Sequence, residues 1–107
     1  MPHAELKYSA GLDLDAAQIL RAVEDVLQAR DPGSGDCKGR AYPAPQWHHH
    51  NVLLDISMLP KAHRDADWLA ALRADLVGRI APMVPRPCWL SIELRFSGAH
   101  YYTEQLT

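Results

Sequence analysis

The feature that most constrains the fold is an echo between the two halves of the chain. Leu6-Lys7-Tyr8-Ser9 opens a run of strand, loop and helix, and Leu54-Asp55-Ile56-Ser57 opens another about 48 residues later. From His3 to Ser9 the residues alternate, with Ala4, Leu6 and Tyr8 on one side and His3, Glu5 and Lys7 on the other. That period of two is the signature of a half-buried strand. From Ala16 to about Arg30, Ala16, Ile19, Leu20, Val23 and Leu27 mark one face of a helix. Asp13 or Asp15 caps it, and Asp31-Pro32-Gly33-Ser34-Gly35 ends it.

The second half repeats the plan. The stretch His50 to Ser57 reads as a strand through Val52, Leu54 and Ile56, with Leu53 suggesting that both faces are partly covered. A loop from Met58 to His63 leads to a helix marked by Leu69, Leu72, Leu76 and Ile80. Asp65 or Asp67 caps that helix, and Pro82 marks its exit. Trp89 to Phe96 alternates cleanly and forms the last strand. Between the halves, Lys38-Gly39-Arg40-Ala41-Tyr42 predicts a short strand that Pro43 and Pro45 confine to a sheet edge. A strand, a helix and a returning parallel strand make a right-handed crossover. Two such units predict an α/β (α+β) fold: a four-stranded mixed sheet with both helices on one face. The other face is left open, and another subunit is the simplest cover for it.

The length of 107 residues fits one domain spanning residues 1–107. With 11 Lys+Arg against 13 Asp+Glu there is no basic surplus for phosphate neutralisation, which argues against a nucleic-acid partner. No run approaches the roughly 18 apolar residues of a membrane span. Met1-Pro2-His3 leads straight into the alternating strand without a secretory pattern, so a cytoplasmic location is the default expectation. Cys37 and Cys88 stand too far apart in sequence for a metal pair and make no disulfide framework. Cys37 beside Lys38 suggests a thiol of lowered pKa, with no partner in view.

Pro2 is the leading candidate for a catalytic group. An initiator methionine before a small residue such as proline is normally removed, which leaves a secondary amine at the start of a core strand. An ordinary α-amino group titrates near about 7.7–8.0. Burial and a neighbouring cation both disfavour its charged form, and a neutral amine is a competent general base. If Met1 stays, the Pro2 nitrogen is an amide and cannot act. Lys38 and Arg40, two residues apart on a strand, project from one face and suit a carboxylate; the alternative is a charged edge that discourages aggregation. Lys61-Ala62-His63-Arg64 runs into a helix N-terminus, where an anion is favoured, or is a solvated loop. His48-His49-His50 sits at the expected start of a strand, where only His48 and His50 share a face, so no metal site is expected. No glycine-rich phosphate loop or nucleophile elbow is present.

Met1-Pro2-His3 opening a strand resembles the start of the tautomerase superfamily. Cys37-Lys38-Gly39-Arg40-Ala41, Asn51-Val52-Leu53-Leu54-Asp55-Ile56 and Leu90-Ser91-Ile92-Glu93-Leu94 narrow the resemblance to the 5-carboxymethyl-2-hydroxymuconate delta-isomerases, over roughly residues 2 to 96. The resemblance implies trimers of two β-α-β units and a catalytic amino-terminal proline. It also implies unsaturated dicarboxylate substrates from aromatic-compound breakdown, and no metal or organic cofactor. Pro2 then matches the base. Arg40 matches the second of two family arginines, and Lys38 replaces the first, a point charge in place of a planar fork. Lys61 or Arg64 answers to the arginine of the loop before the second helix, and His3 lies near a pocket placed between subunits. The implied function is a cofactor-free tautomerase or isomerase of a small unsaturated carboxylate. Two alternatives stand beside it. One is a superfamily decarboxylase or hydratase using Pro2 as an acid or Schiff-base amine. The other is a non-catalytic carboxylate-binding oligomer. The tail from Ser97 to Thr107 shows no pattern; Tyr101 and Tyr102 fit a subunit boundary or a cover over their own core.

Overall fold

The computed structural model describes residues 1–107. Strand β1 (His3–Ser9) leads to helix α1 (Ala16–Arg30), and β2 (Lys38–Ala44) follows after a 3-10 turn at Pro32–Ser34. Strand β3 (Asn51–Met58), helix α2 (Ala66–Ile80), a 3-10 turn at Ala81–Met83 and β4 (Trp89–Phe96) complete the chain's regular structure. The sheet order is β2-β1-β3-β4. β1 pairs parallel with β2, and β3 parallel with β4. The two β-α-β units join through the antiparallel pair β1/β3, where Leu6 lies opposite Leu54. The two leucines that begin the sequence echo therefore meet on an internal pseudo-twofold axis.

The alternation within the strands decides which face the helices cover. Ala4 and Leu6 of β1, with Val52, Leu54, Ile56 and Met58 of β3, are buried. They pack with Ile19, Val23 and Leu27 of α1 and with Leu72, Leu76 and Ile80 of α2. A fully buried side chain of this size stabilises the fold by about 1.5–3 kcal/mol. Leu54 is fully buried at the pseudo-axis, touching both units. Leu54→Ala is expected to cost about 2–5 kcal/mol, read as a fall in the urea midpoint at unchanged slope.

Each open choice of cap resolves to the aspartate directly before its helix. Asp15 accepts from the Gln18 N–H at 3.0 Å, and Asp65 from the Trp68 N–H at 2.9 Å. Pro43 is tolerated because β2 is an edge strand, as expected. The histidine run differs from expectation. β3 begins at Asn51, and His48–His50 lie in bends before it, with His49 at a φ of 61°. Strand alternation therefore does not apply to them. The uncovered face of the sheet is polar. Glu5 meets Arg40 at 3.4 Å and Lys7 at 3.5 Å, and Asp55 meets Arg95 at 2.8 Å. No helix is long and apolar enough to cross a membrane.

Candidate active site

The amino terminus is part of the sheet. The Lys38 N–H donates to the Pro2 carbonyl at 3.0 Å, which extends the β1/β2 ladder to Pro2. Successive strand side chains alternate, so the Pro2 ring joins the helix-covered side and is fully buried, while His3 faces the open side. Met1 lies outside, and its side chain rests over Gly35; a Cβ on Gly35 would stand 3.0 Å from the Met1 Cε. Gly35 has a φ of 78°, a second reason for glycine there. The terminal amine is held below its ordinary pKa, first by burial and then by the positive charges of Lys38, Lys61 and Arg64. Three of the sequence-predicted basic residues thus converge on the amine from two different elements.

Each of the three plays a different part. The Lys38 ammonium is buried and has no hydrogen-bond partner, an unusual state for so costly a charge. Lys61 is exposed in the loop between β3 and α2. Arg64 is only 6% exposed, and the solvated-loop alternative does not describe it. Its Nη2 donates to Asp31 at 2.7 Å, its Nε to the same oxygen at 3.3 Å, and its Nη1 to the Leu59 carbonyl at 2.7 Å. Its guanidinium lies 5.4 Å from the centre of the Trp68 ring. Asp31, at the end of α1, also accepts from His63 Nε2 at 3.0 Å. Arg64 is therefore fixed in place as part of a buried ion pair, while the Lys38 ammonium has no such partner.

Arg40 stands apart. It shares a strand face with Lys38, as alternation predicts, but its Nη2 reaches Glu5 at 3.4 Å and its Nε reaches the Tyr42 hydroxyl at 3.1 Å. His3 Nε2 lies 2.8 Å from the Tyr101 hydroxyl, with the two rings edge to face at 5.7 Å. Burial, then the charges of Lys38, Arg40 and the terminal amine, lower the His3 pKa against an opposing effect of Glu5. The ring is neutral at pH 7. Cys37 corrects the expectation of an activated thiol: burial, reinforced by Glu24, pushes its pKa up to about 11 despite Lys38. Its backbone N–H donates to the Glu24 carboxylate at 2.9 Å.

Sequence reasoning missed two residues. Asp31 read only as part of a helix-breaking stretch, because its partner Arg64 lies 33 residues away. Tyr101 lay in a tail without pattern, yet its hydroxyl donates to the Met1 carbonyl at 3.4 Å. No group of three or more His, Cys, Asp or Glu side chains is placed to hold a metal ion.

The pseudo-twofold makes a useful contrast. At the matching end of the second unit the Trp89 N–H donates to the His50 carbonyl at 3.0 Å, the same bond as Lys38 to Pro2. Trp89 thus occupies the place of Lys38, and His50 that of Pro2. Only the first unit combines a chain terminus with a buried cation.

The sequence matches no family model and no curated protein. Solved structures are similar to it. A 5-carboxymethyl-2-hydroxymuconate delta-isomerase superimposes with a TM-score of 0.75 at 20% identity, covering 100% of this chain and 89% of that one. A 5-carboxymethyl-2-hydroxymuconate isomerase from Deinococcus radiodurans R1 gives 0.72 at 21% identity, covering 98% and 90%. The fold is the tautomerase fold. A fused 4-OT, described as a symmetric trimer, shares it with a TM-score of 0.70 at 12% identity, covering 96% and 93%. The tautomerase fold of this chain agrees with the expected sheet and with both helices on one face.

Proposed function

We propose that the chain is a cofactor-free isomerase of small unsaturated dicarboxylates of the 5-carboxymethyl-2-hydroxymuconate kind, with the Pro2 amine as base once Met1 is removed. The observation that carries this reading is the buried, unpartnered Lys38 ammonium beside a terminal amine of lowered pKa. A buried charge without a partner is expensive, and a bound carboxylate offsets that cost. In the chain beginning at Pro2, the same surroundings act on a secondary amine and favour its neutral form. That amine takes a proton from the substrate enol, leaving a dienolate. The resulting ammonium returns the proton to a carbon of the conjugated system, and the double bond moves. Lys38 and Lys61 hold the carboxylates, and Arg64 contributes positive potential from its fixed position. The trimer of the fused 4-OT with the same fold supports a homotrimer here, with the charged open sheet face turned toward neighbouring subunits.

Lys38→Met tests the reading. The side chain keeps its length and loses its charge. Loss of a hydrogen bond to a charged group, about 1.5–3 kcal/mol, raises KM for a dicarboxylate about 10- to 100-fold. The acid limb of kcat/KM moves to higher pH, because one of the charges depressing the amine is gone. The melting temperature holds or rises, because a buried unpaired ammonium has been removed. An unchanged KM and an unchanged limb would sink the reading. The direct assay is intact mass together with ultraviolet detection of 2-hydroxymuconate ketonisation. Retained Met1 with no ketonisation leaves the fold without the proposed chemistry.

A further inference from the structure

We propose that Tyr101 is a catalytic residue that donates a hydrogen bond to the enolate oxygen of the substrate, and that His3 positions it. The inference rests on the functional reading above and assigns a role to a tail that carries no sequence pattern.

The backbone beyond β4 brings the ring into place. The Ser97 N–H donates to the Met58 carbonyl at 2.7 Å, which carries the β3/β4 ladder past the last strand residue. The Tyr101 N–H then donates to the Gly98 carbonyl at 3.2 Å and closes a turn. This turn lays the Tyr101 ring against His3 at the start of β1, edge to face. The hydroxyl points onward to the Met1 carbonyl oxygen at 3.4 Å.

That oxygen is two bonds from the Pro2 nitrogen, across a C=O of about 1.23 Å and a C–N of about 1.33 Å, so the phenol lies within about 6 Å of that nitrogen. Removal of Met1 takes the carbonyl away and leaves the donor aimed at the space in front of the new amine. A substrate whose enol proton reaches that amine places its oxygen in the same space. The proton accounting is consistent. The Pro2 amine accepts the enol proton, the negative charge stays on the substrate oxygen, and the Tyr101 O–H donates to it without transferring its own proton. For Tyr101 to donate outward, its oxygen must accept from His3. A neutral imidazole protonated on Nε2 supplies that hydrogen bond at 2.8 Å, and the lowered pKa of His3 keeps it neutral. Tyr101 also borders an open cleft of about 440 Å³ lined by Ser57, Arg95, Ser97 and His100.

The test compares two inert probes on the chain beginning at Pro2. Salicylate carries a hydroxyl beside its carboxylate, as a 2-hydroxymuconate does, and benzoate lacks it. The chain is expected to bind salicylate about 10-fold more tightly than benzoate, as one hydrogen bond allows. In Tyr101→Phe that preference disappears while the benzoate affinity stays, and kcat for ketonisation falls about 10²-fold while KM rises by no more than the about 10-fold of the lost ground-state hydrogen bond. His3→Gln, which keeps a donor, retains part of kcat, whereas His3→Ala loses most of it. Phenylalanine preserves the ring contact with His3, so the variant folds. If Tyr101→Phe keeps the salicylate preference or its kcat, the tail is only a structural strap and the proposal falls. If the parent binds both probes equally, the tyrosine assignment fails and the carboxylate site stands. If it binds neither, both fall.

Discussion

On the proposed reading, Pro2→Ala is expected to lower the ketonisation rate of a 2-hydroxymuconate by about 10²-fold, the effect of a base no longer held in line. Alanine also permits loss of Met1, so the variant still ends in an amine. What it loses is the ring, which is fully buried and fixes the nitrogen against the sheet. A primary amine on a freely rotating end spends less time in line with the substrate. A second form separates base from packing. In the chain that retains Met1, as in this structure, Pro2 keeps its ring and its bond to Lys38, but its nitrogen is an amide. That form is folded and is expected to be inactive. Equal rates in the retained and processed chains would exclude the amine as base. Equal rates in Pro2→Ala and parent would remove any special role for proline.

Asp31→Ala produces the largest loss of stability, about 3–5 kcal/mol, because it strands the Arg64 guanidinium inside the protein. The carboxylate oxygen of Asp31 receives Nη2 and Nε of Arg64 and Nε2 of His63. For a chain of this length the fall in melting temperature is on the order of 15–30 °C. The double variant Asp31→Ala/Arg64→Met recovers most of it, since a buried pair replaced together leaves no lone charge. A single variant within about 1 kcal/mol of parent would mean that Arg64 finds other partners. Acid titration supplies an independent check. Burial alone raises the Asp31 pKa, but hydrogen bonds from Arg64 and His63 and the nearby positive charges outweigh it, and the net value is lowered. A carboxyl with its folded pKa below the unfolded one, about 3.9, stabilises the fold above that value. The contribution is lost as pH falls through the folded value. Parent stability therefore drops below about pH 4 through this group, and Asp31→Asn lacks that part of the drop.

The two largest effects differ in how visible they were in the chain itself. Pro2 stands out because a proline after the initiator, leading directly into an alternating strand, is a local signal. Parity puts Lys38 and Arg40 on one strand face, since side chains two apart share a side. That the Lys38 ammonium is buried and unpartnered is decided by the tertiary packing around it, and no periodicity reports that. Arg40 shares its face with Lys38 but sits with Glu5 and Tyr42, since an exposed guanidinium settles on the nearest acceptors. The bends at His48–His50 are not legible in the sequence, because imidazoles carry no period that distinguishes a bend from a strand start.

The sequence by itself determined the elements and their pairing into two units. Alternation and helical spacing are set by neighbours two to four residues apart, and burial of one face follows from them. His3–Ser9, Ala16–Arg30 and Trp89–Phe96 have the bounds that their patterns predict. The 48-residue echo likewise carried the pseudo-twofold, realised where Leu6 meets Leu54. Tertiary structure alone decided which groups meet at the amino terminus. Asp31 finds Arg64 across 33 residues, and Tyr101 finds His3 across 98. Such contacts depend on the summed geometry of turns and packing. A single charge or hydroxyl in a loop leaves no trace of its partner in the residues beside it.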